Sequence, residues 1–300
     1  MKGSGRWVAV GVIIALMLLT LGAMSLAISS VVRHAPSPGA PLSDRVNWGS
    51  WGTEKDFTVE RTVAVAPTDV LTLTTTVGEV RVTGGGPAGE VAITATVHLW
   101  DRNASQSLAE SALKVTELVG DKRVEFAAHG VHVGFLGFGF GGGGKADLEI
   151  VVPDGQTLRL NTDVGAVTVR RVKGDLAIRS NVGEVRVELF EGRLEARTDV
   201  GRIDIRDATL TGPLTLESDV GAISFTGIPA GESRITTDTG SVTLYLPEDR
   251  AYRLVLEDEK PFRQFDSELP YTVGLVGTGE PVGTIEVATD IGAVSIRRWK

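Results

Sequence analysis

The stretch Leu158-Arg159-Leu160-Asn161-Thr162-Asp163-Val164-Gly165-Ala166-Val167-Thr168-Val169 decides the fold. Its frame recurs around Gly78, Gly165, Gly183, Gly201, Gly221, Gly240 and Gly292, seven copies in all. Five residues before the Gly stand Leu73, Leu160, Ile178, Ala196, Leu216, Ile235 and Val287. Two after it stand Val80, Val167, Val185, Ile203, Ile223, Val242 and Val294, and four after it Val82, Val169, Val187, Ile205, Phe225, Leu244 and Ile296. Apolar and polar residues alternate on both sides, the period of a half-buried strand. Each copy is therefore strand, corner, strand, with Thr/Ser-Asp-Val-Gly at the corner.

From Gly165 to Gly240 the copies lie 18, 18, 20 and 19 residues apart. That is too short for a strand-helix-strand crossover, which needs a dozen or more residues between its strands. It suits two short strands and two corners per turn, each turn burying its apolar face against the next. The predicted fold is all-β: a single-stranded parallel β-helix, or β-solenoid, with one short helix near 106–116. The rival arrangement is an antiparallel sandwich with Asp-Val-Gly as a hairpin turn. A hairpin favours Asn-Gly or Asp-Gly, whereas a Val intervenes here and is read as keeping the inward phase.

Four segments are predicted. Residues 1–6, with Lys2 and Arg6, form a short cytoplasmic N-terminus. Residues 7–32 are 26 uncharged residues, long enough to cross a bilayer of about 30 Å as a helix. The N-terminal positive charges place residues 33–300 outside the cytoplasm. Ala23-Met24-Ser25 is a passable cleavage site, so a secreted form stays open. Residues 33–55, with Pro36, Pro38 and Pro41, read as a linker, and 56–300 as the repeat domain. Within it, Phe57–Val65 and Glu90–Trp100 read as strands, and Ser107 with Glu110 as a helix-opening capping box. Val115–Val119 and Arg123–Ala127 read as a hairpin, Ala146–Val152 and Tyr252–Leu256 as strands, and 83–152 in part as a cap on an open edge. Arg297-Arg298-Trp299-Lys300 reads as a basic tail.

The formal net charge is −8, and it is −10 for residues 33–300 once Lys2 and Arg6 are set aside. Such a domain repels phosphate backbones, so nucleic acid is not an expected partner. There is no cysteine, hence no disulfide or thiolate chemistry. Gly139 to Lys145 has phosphate-loop spacing, but Ala146 stands where Ser or Thr is needed and a strand follows where a helix is needed, so no nucleotide is expected. The 134–144 loop, with Phe135, Phe138 and Phe140 and with Phe126 nearby, reads as a mobile loop tip that could touch lipid or a partner. His129, His132, His34 and His98 offer no visible third ligand for zinc. Asp163, Asp199, Asp219, Asp238 and Asp290 stand two before the Gly, with Asn181 and Thr76 in the other copies. They are expected to cap their own corners by accepting backbone N–H bonds, which would lower their pKa values, rather than to form a cation ladder. Arg170, Arg171, Glu188, Arg206 and Asp207 fall near one face where a polysaccharide could bind, and read by default as solvated charges. No catalytic residue, metal ligand or cofactor is assigned, and the binding residues are not identified.

Val152-Pro153-Asp154-Gly155 leading into Leu158-x-Leu160, the Thr-Asp-Val-Gly-x-Val repeats, and the closing Gly283-x-Ile285-x-Val287-x-Thr289-x-Ile291-Gly292-x-Val294 resemble a known group. It is the bacterial "putative adhesin" family of β-strand-repeat domains of unknown function, LiaG-like proteins among them. The resemblance covers about residues 57–298. The family commonly has Ser-Asn-Gly at the corner where this chain has Asp-Val-Gly. The likeness implies a membrane-anchored or secreted envelope protein with a β-helical ectodomain, a non-catalytic adhesin-like or scaffolding module. The alternative is a cell-wall protein that binds or cleaves polysaccharide. Envelope proteins or cell-wall glycans are the implied partners.

Overall fold

The computed structural model describes residues 54–99, 104–118, 121–126, 144–256, 263–272 and 274–299. The expected membrane span at 7–32, the linker up to residue 53, His129, His132 and the loop at 134–143 lie outside them; Lys55, the last residue read as linker, already opens the first strand. Among the described residues no helix is long and apolar enough to cross a membrane.

The described chain is all-β with one short helix. It opens with β1 (Lys55–Ala64), β2 (Val70–Val77), β3 (Val80–Gly84) and β4 (Glu90–Leu99). The helix α1 (Gln106–Ala112), β5 (Leu113–Leu118), β6 (Asp121–Phe126) and β7 (Gly144–Val152) follow. The closely spaced repeats supply β8 (Thr157–Val164), β9 (Val167–Arg170), β10 (Lys173–Val182), β11 (Val185–Glu188) and β12 (Glu191–Val200). They continue through β13 (Ile203–Val220), β14 (Ile223–Ile228), β15 (Gly231–Thr239) and β16 (Val242–Pro247). The chain closes with β17 (Ala251–Leu256), β18 (Arg263–Ser267), β19 (Tyr271–Thr272), β20 (Leu275–Gly277) and β21 (Pro281–Trp299).

Consecutive repeats pair in parallel, which excludes the hairpin reading of Asp-Val-Gly. The strand before each corner builds one ladder: β6, β2, β8, β10, β12, the second half of β13, β15, the first half of β21, then β17. The strand after each corner builds another: β7, β3, β9, β11, the first half of β13, β14, β16, the second half of β21, then β18. Register follows the repeat. Leu73, Leu160, Ile178, Ala196, Leu216, Ile235 and Val287 form one unbroken column of partners. All are buried, as are the matching residues two and four after each Gly. Each full burial of such a side chain contributes on the order of 1.5–3 kcal/mol.

The corner differs from its predicted form. The inward phase is kept by Thr75, Thr162, Ser180, Thr198, Ser218, Thr237 and Thr289, three before the Gly, all buried. The residue just before the Gly faces out: Val182 is 47% exposed and Ile291 56%. Alternation slips here because the chain bends. The amides of Gly78, Gly165, Gly183, Gly201, Gly221 and Gly240 donate to the carbonyl one rung on, as Gly183 N to Val200 O at 3.0 Å and Gly201 N to Val220 O at 2.9 Å. Rungs meet so closely that a Cβ on Gly201 would stand 1.8 Å from Gly183 O. Only glycine fits that column.

The helix also starts earlier than its box suggested. Ser105, not Ser107, is the N-cap, its Oγ accepting from Leu108 N at 3.3 Å. The hairpin forms as β5 and β6, and β6 then pairs with β2. Between Leu256 and β21 lie three further short strands, β18, β19 and β20. The basic tail is strand: Arg297 and Arg298 lie in β21 and pair with Asp266 and Glu248, both at 2.8 Å.

Candidate functional site

The strongest polar constellation lies where the ladders give way to an antiparallel end sheet, β1–β4–β7. Val97, Ala146 and Leu148 bury the inner face of this sheet. Period two then puts Glu54, Asp56, His98, Lys145 and Asp147 on the outer one. The register sets Asp56 opposite His98, and His98 opposite Lys145, with Asp147 two residues further on.

His98 is hydrogen-bonded through Nδ1, while its buried Nε2 faces Asp147 without a hydrogen bond. Nδ1 stands 2.7 Å from Asp56 Oδ1 and 3.6 Å from Glu54 Oε1. Nε2 stands 3.4 Å from Asp147 Oδ2. The imidazole is only 14% exposed, whereas Asp56 and Glu54 lie open to solvent. Asp147 is fixed in turn. Its Oδ1 accepts from Glu79 N at 2.9 Å, and Lys145 Nζ lies 3.7 Å from its Oδ2. Burial would raise the Asp147 carboxyl, but the Glu79 amide and then the Lys145 and His98 charges outweigh it and hold it below its usual range. Glu79 follows Gly78, so this carboxylate ties the end sheet to the first repeat corner.

Nδ1 faces both carboxylates and lies within hydrogen-bond distance of Asp56. Glu54, Asp56 and His98 each bring one ligand atom within 4.8 Å of the others. Among the described residues they are the one such group of three. The sequence did not disclose it, since Asp56 and His98 stand 42 residues apart and meet only through strand pairing. The available signal was Glu54-x-Asp56 at the head of an alternating strand, where both carboxylates share a face.

The other candidate residues resolve differently. Asn181 Nδ2 donates to Asp163 Oδ1 at 3.2 Å. The corner amides are satisfied by the next rung rather than by the Asp column. Asp219 is shifted upward, by burial and then by the charges of Asp238 and Asp199, opposite to the expected lowering. The column is a stack of like charges on an exposed edge. Arg170 pairs with Glu188 at 2.8 Å, and Arg206 with Asp204 at 2.7 Å. Arg171 and Asp207 occupy left-handed backbone (φ 53 and 52), stacked with Leu189 (φ 56) at a second corner. These charges pair across and along rungs instead of converging.

No family model matches the chain, and no curated protein matches it. Solved structures do. A putative cell adhesion protein from Clostridium sporogenes is 13% identical at a TM-score of 0.37, covering 81% of this chain and all of its own. A putative adhesin from Bacteroides fragilis is 11% identical at 0.37, covering 80% of this chain and 96% of its own. A putative lipid binding protein from Parabacteroides distasonis is 11% identical at 0.36, covering 79% and 96%. At these identities and TM-scores, neither a site nor an activity transfers to this chain.

Proposed function

We propose that this chain is a non-catalytic envelope module, adhesin-like or scaffolding, anchored through residues 7–32 with its repeat domain outside the cytoplasm. On this reading the two parallel ladders are faces of a β-solenoid. The observation that carries it is the division of labour along the repeats. The column Leu73 to Val287 is apolar and buried at every rung. The residues following each corner glycine vary freely: Glu79, Ala166, Glu184, Arg202, Ala222, Ser241 and Ala293. A constant inside with a variable, regularly spaced outside supports display of a surface rather than assembly of a reaction centre. Catalysis would require titratable groups gathered in a cleft with perturbed pKa values. The charges over the Arg159 to Thr215 face instead neutralise one another, as Arg193 does with Asp175 at 3.4 Å.

The test is a cell-wall glycan array read for both retention and turnover, using the full-length protein. Retention or protein capture without turnover is the expected result. Turnover abolished by changing one or two carboxylates would establish the polysaccharide-cleaving alternative instead. Protease added to intact cells should remove the repeat domain, and full protection of the C-terminus would refute the topology.

A further inference from the structure

The structure assigns a divalent metal site to Glu54, Asp56 and His98, with Asp147 orienting the histidine from behind. This goes beyond the surface-display reading and does not depend on it. The argument begins with the 2.7 Å between His98 Nδ1 and Asp56 Oδ1. Without an ion this contact is a hydrogen bond, and a bound ion would take the place of its proton. A tetrahedral ion with bonds of roughly 2.1 Å sets its ligand atoms about 3.4 Å apart. The distances of 2.7 and 3.6 Å from Nδ1 to the two carboxylates bracket that spacing. Small rotations of the two exposed carboxylates are enough to reach it.

The second observation is the far side of the ring. A metal-binding histidine usually offers its other N–H to a carboxylate, which sets the tautomer and raises the basicity of the ligating nitrogen. Asp147 stands at that place, 3.4 Å from Nε2, anchored by the Glu79 amide and by Lys145. The donor set is one imidazole and two carboxylates. With water as a fourth ligand it suits a borderline ion such as Zn²⁺, whose catalytic and open sites use such sets.

The place in the fold suggests what the ion would do. Among the described residues β1 pairs with β4 alone, so β1 is an edge strand. Two of the three ligands lie at its first turn of chain and the third on β4. An ion here staples that edge strand at the point where the domain begins.

Zinc titrated calorimetrically into the metal-stripped, full-length protein near neutral pH should bind at one per chain. It should slow hydrogen exchange in β1 and β4 more than in β10 and β12. Cobalt at the same site should give the visible absorption of a low-coordinate complex. Asp56→Asn and Glu54→Gln should each weaken zinc at least tenfold, and Asp147→Asn by roughly ten- to a hundredfold. Both ligand changes are at exposed positions and should leave the metal-free melting temperature unmoved. The double change His129→Gln with His132→Gln should bind zinc as the parent does. Absence of one-per-chain binding, or undiminished affinity in either Asp56→Asn or Glu54→Gln, overturns the assignment.

Discussion

The central ladders and the antiparallel end sheet are built from the same strand chemistry, yet they solve different problems. In the ladders each rung is a copy of its neighbour, so the glycine N–H of each corner from Gly78 to Gly240 meets a carbonyl one rung on, as Gly165 N meets Val182 O at 3.0 Å. Side chains are free of that duty. At the end sheet the copies stop, and the Asp147 carboxylate accepts from the Glu79 amide, one residue past the corner glycine. Repetition makes side-chain chemistry dispensable. Its interruption makes side-chain chemistry necessary, and that is where the polar cluster sits.

The sharpest way to break the ladder side of this comparison is Gly201→Ala. The new Cβ would overlap Gly183 O, which is backbone and cannot move aside. A loss of about 3 kcal/mol or more is expected in urea unfolding. Gly155→Ala is the control, since nothing lies within 4 Å of its Cβ and only the φ of 82 is unfavourable. About 1 kcal/mol is expected there. Equal losses would show that conformation, not contact between rungs, sets the glycine column.

The end-sheet side is tested by Asp147→Ala. It strands the Glu79 amide and should cost about 1.5 kcal/mol by the same measurement, the size of a bond to a charged acceptor. Asn in its place should recover most of this. A smaller contrast lies within the buried hydroxyl column. Thr237 Oγ1 donates to Gly221 O at 3.1 Å, whereas Thr198 Oγ1 has no partner among the described residues. Thr237→Val should cost about 1 kcal/mol and Thr198→Val close to nothing, or a slight gain. At the second corner, exposed Leu189 holds left-handed backbone. Leu189→Asn should stabilise by about 0.5–1 kcal/mol, seen as a raised melting temperature.

The smallest effect concerns the Asp column. Asp219 binds its proton more tightly when folded, because of burial and then the Asp238 and Asp199 charges. Its favourable contribution is therefore complete below the ordinary carboxylate range and is lost as pH rises through the elevated folded value. Asp219→Asn should be more stable than the parent at neutral pH by no more than about 0.5 kcal/mol after solvent screening. The two proteins should converge on acidification toward pH 3. A parent that gains on Asp219→Asn as pH rises would instead restore the turn-capping role.

Much of the ladder was legible because register and burial follow from period two and a fixed frame. Leu160 on Ile178 on Ala196 could be written down from spacing alone. The corner was misread at Val164, Val182, Val200 and Val220, because strict alternation was carried across a bend that breaks it. The Thr or Ser three before each Gly follows the alternation inward despite its polarity. The Asp column misled for a related reason: turn propensity presumes a locally closed turn, and here the bonds cross between rungs. The His98 cluster was out of reach because antiparallel pairing of β1, β4 and β7 joins residues from segments that share no repeat.

The ends of both ladders have a further consequence. The seventh repeat, β21, lies between β15–β16 on one side and β17–β18 on the other, although it comes last in the chain. A polypeptide emerging N-terminus first exposes β17 and β18 before their partner exists. β17 can pair with β20 in the meantime, but both strands must wait for their parallel ladder partner, the nineteen-residue β21, to be wedged into place. Completion of this half of the molecule is thus tied to the arrival of β21. A chain truncated just before Pro281 would lose not only a strand but also the seat for two others already made.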